Sequence, residues 1–137
     1  IWRIDAEMTL HDAAMIRFGQ WWKRTMRAGY AFAEGAHLHG RTHGHWVREA
    51  RSAALWGVAL PVLIVAASLF WTPWAALFAL LYPVQVMRLA LKAPAGAPIR
   101  WTRALYLVLG KFAEGWGWLK FHALRLSGGR GRLIEYK

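Results

Sequence analysis

The sequence contains no cysteine, and acidic residues are scarce. The absence of cysteine excludes disulfide bonds and any reaction or metal site that depends on a thiolate. Seven Asp and Glu residues stand against 18 Lys and Arg residues, which gives a formal net charge of +11. Carboxylate chemistry therefore has few candidates in this chain, and we expect its partner to be anionic.

A long internal stretch has no charge at all. Residues 52–87 include no Lys, Arg, Asp, Glu or His. A membrane-spanning helix needs ~20 apolar residues, so this stretch has the length of two short spans. The sequence Trp-Thr-Pro-Trp at 71–74 interrupts it with a helix-stopping proline between two tryptophans, and we expect helices over 53–71 and 74–91. The alternative is a hairpin buried in a soluble protein, which 137 residues could hardly cover on all sides.

All basic residues lie outside the charge-free stretch, eight before it and ten after it. By the positive-inside rule, both termini then face the cytoplasm and the turn faces outward. Since the basic residues flank apolar spans, we expect the anionic cytoplasmic leaflet of a lipid bilayer as the partner, and no nucleic acid.

The beginning of the chain alternates between apolar and polar residues. This period of two over residues 2–11 is typical of a strand with one buried face, and we predict a terminal strand over 1–12. Because a lone strand is unstable, we expect it to belong to a preceding domain, as the start at Ile1 without methionine also indicates. Asp5, Glu7 and His11 share one face, which is either solvated or holds a divalent cation.

A basic amphipathic helix followed by a histidine-rich turn is expected within 13–51. Asp12 is the predicted N-cap, and the apolar positions recur every three or four residues to about Gly35. Such a helix lies among lipid headgroups or packs on the domain before it. Four histidines within 37–45 allow a metal site, although the glycines among them favour a solvated turn over a helix.

A second amphipathic helix is predicted over 101–127, after the hairpin (52–92) and an Ala- and Pro-rich linker (93–100). Its charged residues argue against a membrane span, so we expect it along the cytoplasmic face, against the first amphipathic helix. Gly115 and Gly117 are expected to weaken it locally. A basic tail over 128–137 ends the chain.

Several segments resemble parts of one known family. They are Trp-Arg-Ile-Asp-Ala-Glu-Met-Thr-Leu-His-Asp-Ala-Ala-Met (2–15), Arg-Phe-Gly-Gln-Trp-Trp-Lys-Arg (17–24), Arg-Ala-Gly-Tyr-Ala-Phe-Ala-Glu-Gly (27–35), Leu-Tyr-Pro-Val-Gln-Val-Met-Arg (81–88), Leu-Val-Leu-Gly-Lys-Phe-Ala-Glu (107–114) and Leu-Ile-Glu-Tyr-Lys (133–137). Together they resemble the C-terminal membrane region of bacterial family 2 glycosyltransferases. The resemblance extends over nearly the whole chain.

The resemblance implies a metal and a sugar-binding motif. The family's α/β catalytic domain, which would precede this chain, binds a divalent metal (Mn or Mg) on the nucleotide diphosphate, and His11 matches a histidine that completes the metal site. Gln20, Trp21, Trp22 and Arg24 are similar in content, though not in order, to a Gln-x-x-Arg-Trp motif of processive synthases. The tryptophans would stack on an acceptor sugar or anchor the interface, and Gln20 or Arg24 would reach a phosphate.

Taken together, the sequence predicts an all-α membrane protein. A two-helix transmembrane hairpin is flanked by cytoplasmic amphipathic helices, with a short N-terminal strand left over from a missing α/β catalytic domain. The predicted function is the membrane-anchoring part of a glycosyltransferase that makes a polysaccharide or glycolipid at the bacterial inner membrane. The alternative is a non-catalytic, Trp-rich subunit that packs against other membrane proteins or pigments in a larger assembly.

Overall fold

The computed structural model describes residues 17–44, 46–94 and 98–128, and for residues 41–43 only the backbone. Within these ranges every regular element is helical. The predicted strand, Asp12 and His11 lie outside them, as does all of the predicted tail except Gly128.

Five α-helices follow one another in the described ranges. They are α1 (Phe18–His43), α2 (Val47–Ala54), α3 (Leu60–Phe70), α4 (Leu81–Lys92) and α5 (Arg100–Leu126). A π-helical segment (Leu55–Ala59) joins α2 to α3, and a 3₁₀ segment (Pro73–Leu80) leads into α4. The chain therefore forms two continuous hairpin helices, Val47–Phe70 and Pro73–Lys92.

Both hairpin helices are long and apolar enough to cross a membrane. In the most apolar part of the first helix only 6% is buried, and in that of the second helix only 11% is buried. The core helices of soluble proteins, in contrast, are mostly buried. Their large apolar side chains, such as Leu69 and Phe70, instead face outward. The predicted all-helical fold with two candidate membrane spans is thus confirmed for the described residues.

Two prolines lie inside the hairpin helices, and each follows a local change of helix type. Pro61 comes just after the π-helical segment, and Pro83 comes just after the 3₁₀ segment. Proline lacks an N–H and its ring collides with the carbonyl four residues earlier, so a regular α-helix does not fit at these points. The local π and 3₁₀ turns let both helices continue, as membrane-spanning helices with prolines generally do.

The turn between the hairpin helices is held by Thr72. Its backbone N–H donates to the carbonyl of Ala67 at 2.9 Å, and its Oγ1 accepts from the N–H of Trp74 at 3.4 Å. Trp71 is 90% exposed and Trp74 is 76% exposed. The hairpin therefore ends in two tryptophans that contact little of the described protein.

Helix α5 is the element around which the others pack. It contacts α1, α2, the π-helical segment and α4, whereas α3 and the 3₁₀ segment have no contact with it. Residues 60–80 therefore form a hairpin tip apart from the hairpin base, which comprises 47–59 and 81–92. The expected contact between the two amphipathic helices is present, and α5 additionally packs against the hairpin base.

Glycines bring α5 into backbone contact with two neighbours. A Cβ added at Gly115 would lie 2.8 Å from the Cα of Gly57, and one at Gly117 would lie 2.7 Å from the backbone N of Tyr30. Helices pack this closely where small residues face one another. Helix α5 is continuous through Gly115 and Gly117 and uses both as contact points, so the expected local weakening does not interrupt it.

The prediction that α1 ends near Gly35 is wrong, since the helix continues to His43. Its later glycines lie where the chain returns to start α2. A Cβ at Gly35 would collide with the ring of Trp46, and one at Gly40 would lie 2.9 Å from Cγ2 of Val47. These glycines therefore make room for a packed helix corner, and the turn itself is made at Gly44, whose φ is 63°.

Candidate functional site: a polar cleft at the hairpin base

A cleft of about 380 Å³ lies between α1, the two hairpin helices and α5. Every element that forms it contributes at least one polar side chain. These are Thr25, Ser52, Tyr82, Gln85, Tyr106, Lys111 and Glu114. A cleft with hydrogen-bonding groups beside an apolar hairpin can hold the polar part of a molecule that also has an apolar part.

An ion pair lies in the wall that α5 contributes to the cleft. Nζ of Lys111 donates to Oε2 of Glu114 at 2.7 Å, and both side chains are partly buried. The two residues are three positions apart and therefore share one helix face. Each charge neutralises the other, so neither enters the cleft as an isolated ion.

Tyr82 links the two hairpin helices at the cleft. Its hydroxyl donates to the backbone carbonyl of Trp56 at 2.7 Å, across 26 residues of sequence. Trp56 lies in the π-helical segment, where the regular helical hydrogen-bond pattern is interrupted. The ring of Tyr82 also packs on Phe112 of α5, with the two centroids 5.0 Å apart. One side chain thus connects both hairpin helices with α5.

We expect Tyr82→Phe to lower the free energy of unfolding by about 1 kcal/mol, because the carbonyl of Trp56 loses its interhelical donor. Thermal unfolding in detergent micelles measures the change. Tyr106→Phe is the matched control, since it removes another hydroxyl from the same cleft and leaves the hydrogen bond between Tyr82 and Trp56 intact. Equal melting temperatures for the two variants would contradict the role given to Tyr82.

Of the residues predicted to bind substrate, Trp21 reaches the cleft. Its ring meets that of Tyr106 edge to face, with the centroids 4.9 Å apart. Gln20 and Arg24 are exposed on α1, and Trp22 is half-buried, 6.3 Å from Trp21 between ring centroids. These three do not line the cleft, so the predicted motif is divided between the cleft wall and the outer face of α1.

Sequence reasoning missed most of the cleft. The sequence assigns Tyr82 and Gln85 to a membrane span and to a family-like segment, and it uses the charges of Lys111 and Glu114 to exclude a span, but it does not place the four residues together. A signal was available, because Tyr82 and Gln85 are three positions apart on one helix face and are uncharged polar residues within the second span. Polar residues inside a span usually face a partner or a cavity.

The histidines of the predicted turn and the implied metal site receive no support from the described side chains. Among these, no three His, Asp or Glu residues lie close enough to hold a metal ion. His37 and His39 are exposed on α1, and His37 pairs with Arg125 at 2.9 Å. His11 lies outside the described residues, so its predicted role as a ligand stays a prediction.

Comparison with known proteins gives no relative from which a function follows. No family model, no curated protein and no solved structure matches the chain. The likeness of several segments to family 2 glycosyltransferases therefore stays a prediction, and the function is argued from the described residues.

Proposed function

We propose that this chain is the C-terminal, membrane-anchoring part of a bacterial family 2 glycosyltransferase. The enzyme would transfer a sugar from a nucleotide sugar to a membrane-associated acceptor, for polysaccharide or glycolipid synthesis. The observation that carries the proposal is the position of Trp21, which belongs to the motif-like segment 17–24 and lies in the wall of a polar cleft at the base of an apolar hairpin. An acceptor with a polar head and a lipid tail suits a cleft in that position.

The distribution of charge supports an orientation in the bilayer. Arg48, Arg51, Arg88 and Lys92 border the hairpin helices at the ends away from the turn, and the turn itself has no charged residue. By the positive-inside rule, the hairpin base and both termini would lie on the cytoplasmic side of the inner membrane. An anionic leaflet would attract these basic residues further.

The packing of α1 supports a fixed position for a preceding domain. The helix begins at Phe18 and packs along α5, with Gly29 against the backbone of Glu114. A domain joined to the start of α1 would thus be attached to a rigid element and not to a free linker. Such an attachment would hold a catalytic site at a constant distance from the cleft, as transfer to a membrane-bound acceptor requires.

The cleft offers binding groups, while the transfer chemistry would come from the preceding domain. Its carboxylate, Glu114, is held in an ion pair and is a poor general base. In the proposal, an Asp-rich motif of that domain and His11 would hold a Mn or Mg ion, which would supply positive charge to the diphosphate leaving group. Trp21 would stack on an acceptor sugar, and Ser52 and Gln85 would form hydrogen bonds with it.

Membranes that contain the full-length protein should incorporate label from a radioactive nucleotide sugar into lipid or polymer. We expect Trp21→Ala to reduce this transfer about tenfold, because the acceptor loses a stacking surface in the cleft. Trp116→Ala is the matched control, since Trp116 is a half-exposed tryptophan of α5 that does not line the cleft.

The isolated 137-residue chain should transfer no sugar, because the nucleotide-binding domain would precede it. Transfer by the isolated chain would contradict the proposal. So would full-length membranes that are inactive with every nucleotide sugar tested. An equal loss of activity in the Trp21→Ala and Trp116→Ala variants would contradict the proposal that the acceptor binds in the cleft.

A second candidate function is that of a non-catalytic subunit in a membrane assembly, which the exposed tip favours. Phe70 and Trp71 are 89% and 90% exposed, and their rings would be available for contact with a neighbouring membrane protein. The coding region before Ile1 separates the two candidates. An α/β domain with an Asp-x-Asp motif there supports the transferase, whereas a start codon directly before Ile1 supports the subunit.

A further inference from the structure

A second cleft, of about 270 Å³, lies where α1, α2 and α5 meet. Alanine side chains form much of its surface, and its polar residues are His37 from α1, Arg51 from α2 and His122 from α5. Trp118 of α5 also lines it. None of these residues belongs to the polar cleft at the hairpin base, so this is a separate site.

The polar groups at this second cleft are all basic. Nη1 of Arg125 lies 2.9 Å from Nδ1 of His37. Because a guanidinium can only donate, Nδ1 accepts, and the proton of the neutral ring is on Nε2. No carboxylate among the described residues forms an ion pair with Arg51 or Arg125. The cleft thus gathers N–H donors from three helices around the positive charge of Arg51, with Arg125 nearby, which concentrates the field that attracts an anion.

The environment of His122 in this cleft favours the neutral form of its ring. Burial, followed by the nearby Arg125 and His37, lowers the pKa of His122 below its ordinary value. The groups that face it are Arg125 from its own helix, His37 from α1 and Arg51 across the cleft from α2. An anion bound between them would offset the repulsion between these groups and a protonated His122. Anion binding would therefore favour protonation of His122, and protonation would favour anion binding.

The position of Arg51 indicates the source of the anion. It is the last charged residue before the charge-free stretch, which begins at Ser52. If the hairpin helices cross a bilayer, Arg51 lies at the level of the lipid headgroups, where phosphate diesters are the abundant anions. Tryptophan is also enriched at that level, as Trp118 is in this cleft.

We propose that the cleft lined by His37, Arg51 and His122 binds the phosphate of an anionic phospholipid in the cytoplasmic leaflet. The inference rests on the proposed placement of the hairpin in a bilayer, and it does not depend on sugar transfer. The phosphate oxygens accept hydrogen bonds from the Arg51 guanidinium and from the imidazole N–H groups. The bound lipid then joins α1, α2 and α5 at the membrane surface.

The test is a titration of the full chain, in micelles of a neutral detergent, with short-chain phosphatidylglycerol, followed by phosphorus NMR. We expect the Arg51→Gln/His122→Gln double variant to bind about tenfold more weakly than the unmodified chain. Arg88→Gln is the matched control, because Arg88 is an exposed cation at the hairpin base that does not line the cleft. Circular dichroism verifies that all variants are equally helical.

Parallel titrations with inorganic phosphate and at two pH values complete the design. The unmodified chain should bind the lipid more tightly at about pH 5.5 than at about pH 7.5, and the double variant should lose this dependence. Inorganic phosphate that binds as tightly as the lipid would assign the cleft to a soluble anion and overturn the proposal. Equal weakening by Arg88→Gln, or no weakening in the double variant, would show unspecific attraction to the net charge and overturn it too.

Discussion

A cysteine introduced by Trp71→Cys should react with a membrane-impermeant maleimide from outside intact spheroplasts, whereas cysteines from Gly19→Cys and Ser127→Cys should react only after permeabilisation. The chain has no native cysteine, so each variant has one reactive site. Trp71 lies at the turn and is 90% exposed. Gly19 has open space around it, and Ser127 is exposed, so its replacement removes only the local hydrogen bond from Oγ to the Leu124 carbonyl.

The expected contrast is nearly complete, because the charge distribution leaves few alternatives. By the positive-inside rule the eighteen basic residues favour the cytoplasmic side, and the turn has no basic residue that would favour the opposite orientation. Labelling of Gly19→Cys and Ser127→Cys from opposite sides would contradict the hairpin. A Trp71→Cys site that reacts from neither side would mean that the tip stays within the bilayer and does not cross it.

Gly57→Leu should separate α5 from the hairpin and abolish cooperative thermal unfolding in detergent. A Cβ at Gly57 would collide with the carbonyl of Lys111 and would lie 2.9 Å from the Cα of Gly115. Both of these atoms are backbone, which cannot rotate away as a side chain would. Overpacking of a well-filled contact costs typically ~1–3 kcal/mol, and a leucine between two touching helices should exceed that range.

Two other glycines provide matched controls for this variant. Gly19→Leu adds the same side chain where no atom lies within 4 Å, so it should leave the melting temperature unchanged. Gly110→Ala places a Cβ at ordinary contact distances of 3.5 and 3.7 Å, and should stabilise α5 by about 1 kcal/mol through better helix propensity. If Gly57→Leu melts like Gly19→Leu, the close approach of the two helices does not exist in the protein.

The hairpin could be predicted from the sequence because its signal is local. A stretch of residues without charge, broken by one proline between tryptophans, gives the number of apolar helices and the position of the turn. The predicted spans differ from the observed helices only at their ends. The effects of charge and of proline are local, so both signals can be interpreted without knowledge of the tertiary structure.

The packing could not be predicted, because the meaning of a glycine depends on what faces it. From intrinsic propensity, Gly35 and Gly40 predict the end of a helix, and Gly115 and Gly117 predict weak points within one. All four lie inside continuous helices and admit another segment of the chain at close range. Intrinsic propensity disfavours glycine in a helix by ~1 kcal/mol, which a close interhelical contact readily offsets.

The cleft could not be predicted for the same reason. The sequence indicates Trp21 because of its immediate neighbours, but its partners in the cleft include residues far away in the sequence, such as Tyr82 and Tyr106. No spacing rule connects such distant positions. The polar residues of the second span were visible, and only the fold brings them beside Lys111 and Glu114.

The separation of the hairpin tip from the rest of the bundle has a mechanical consequence. Among the described residues, the tip contacts only itself and the hairpin base, while both clefts depend on α1, α5 and the base. If the hairpin crosses a bilayer, a membrane that is thicker or thinner than the hairpin would bend or tilt the tip at small cost. The clefts would keep their shape while the outer half adjusts, so the protein would tolerate membranes of different thickness.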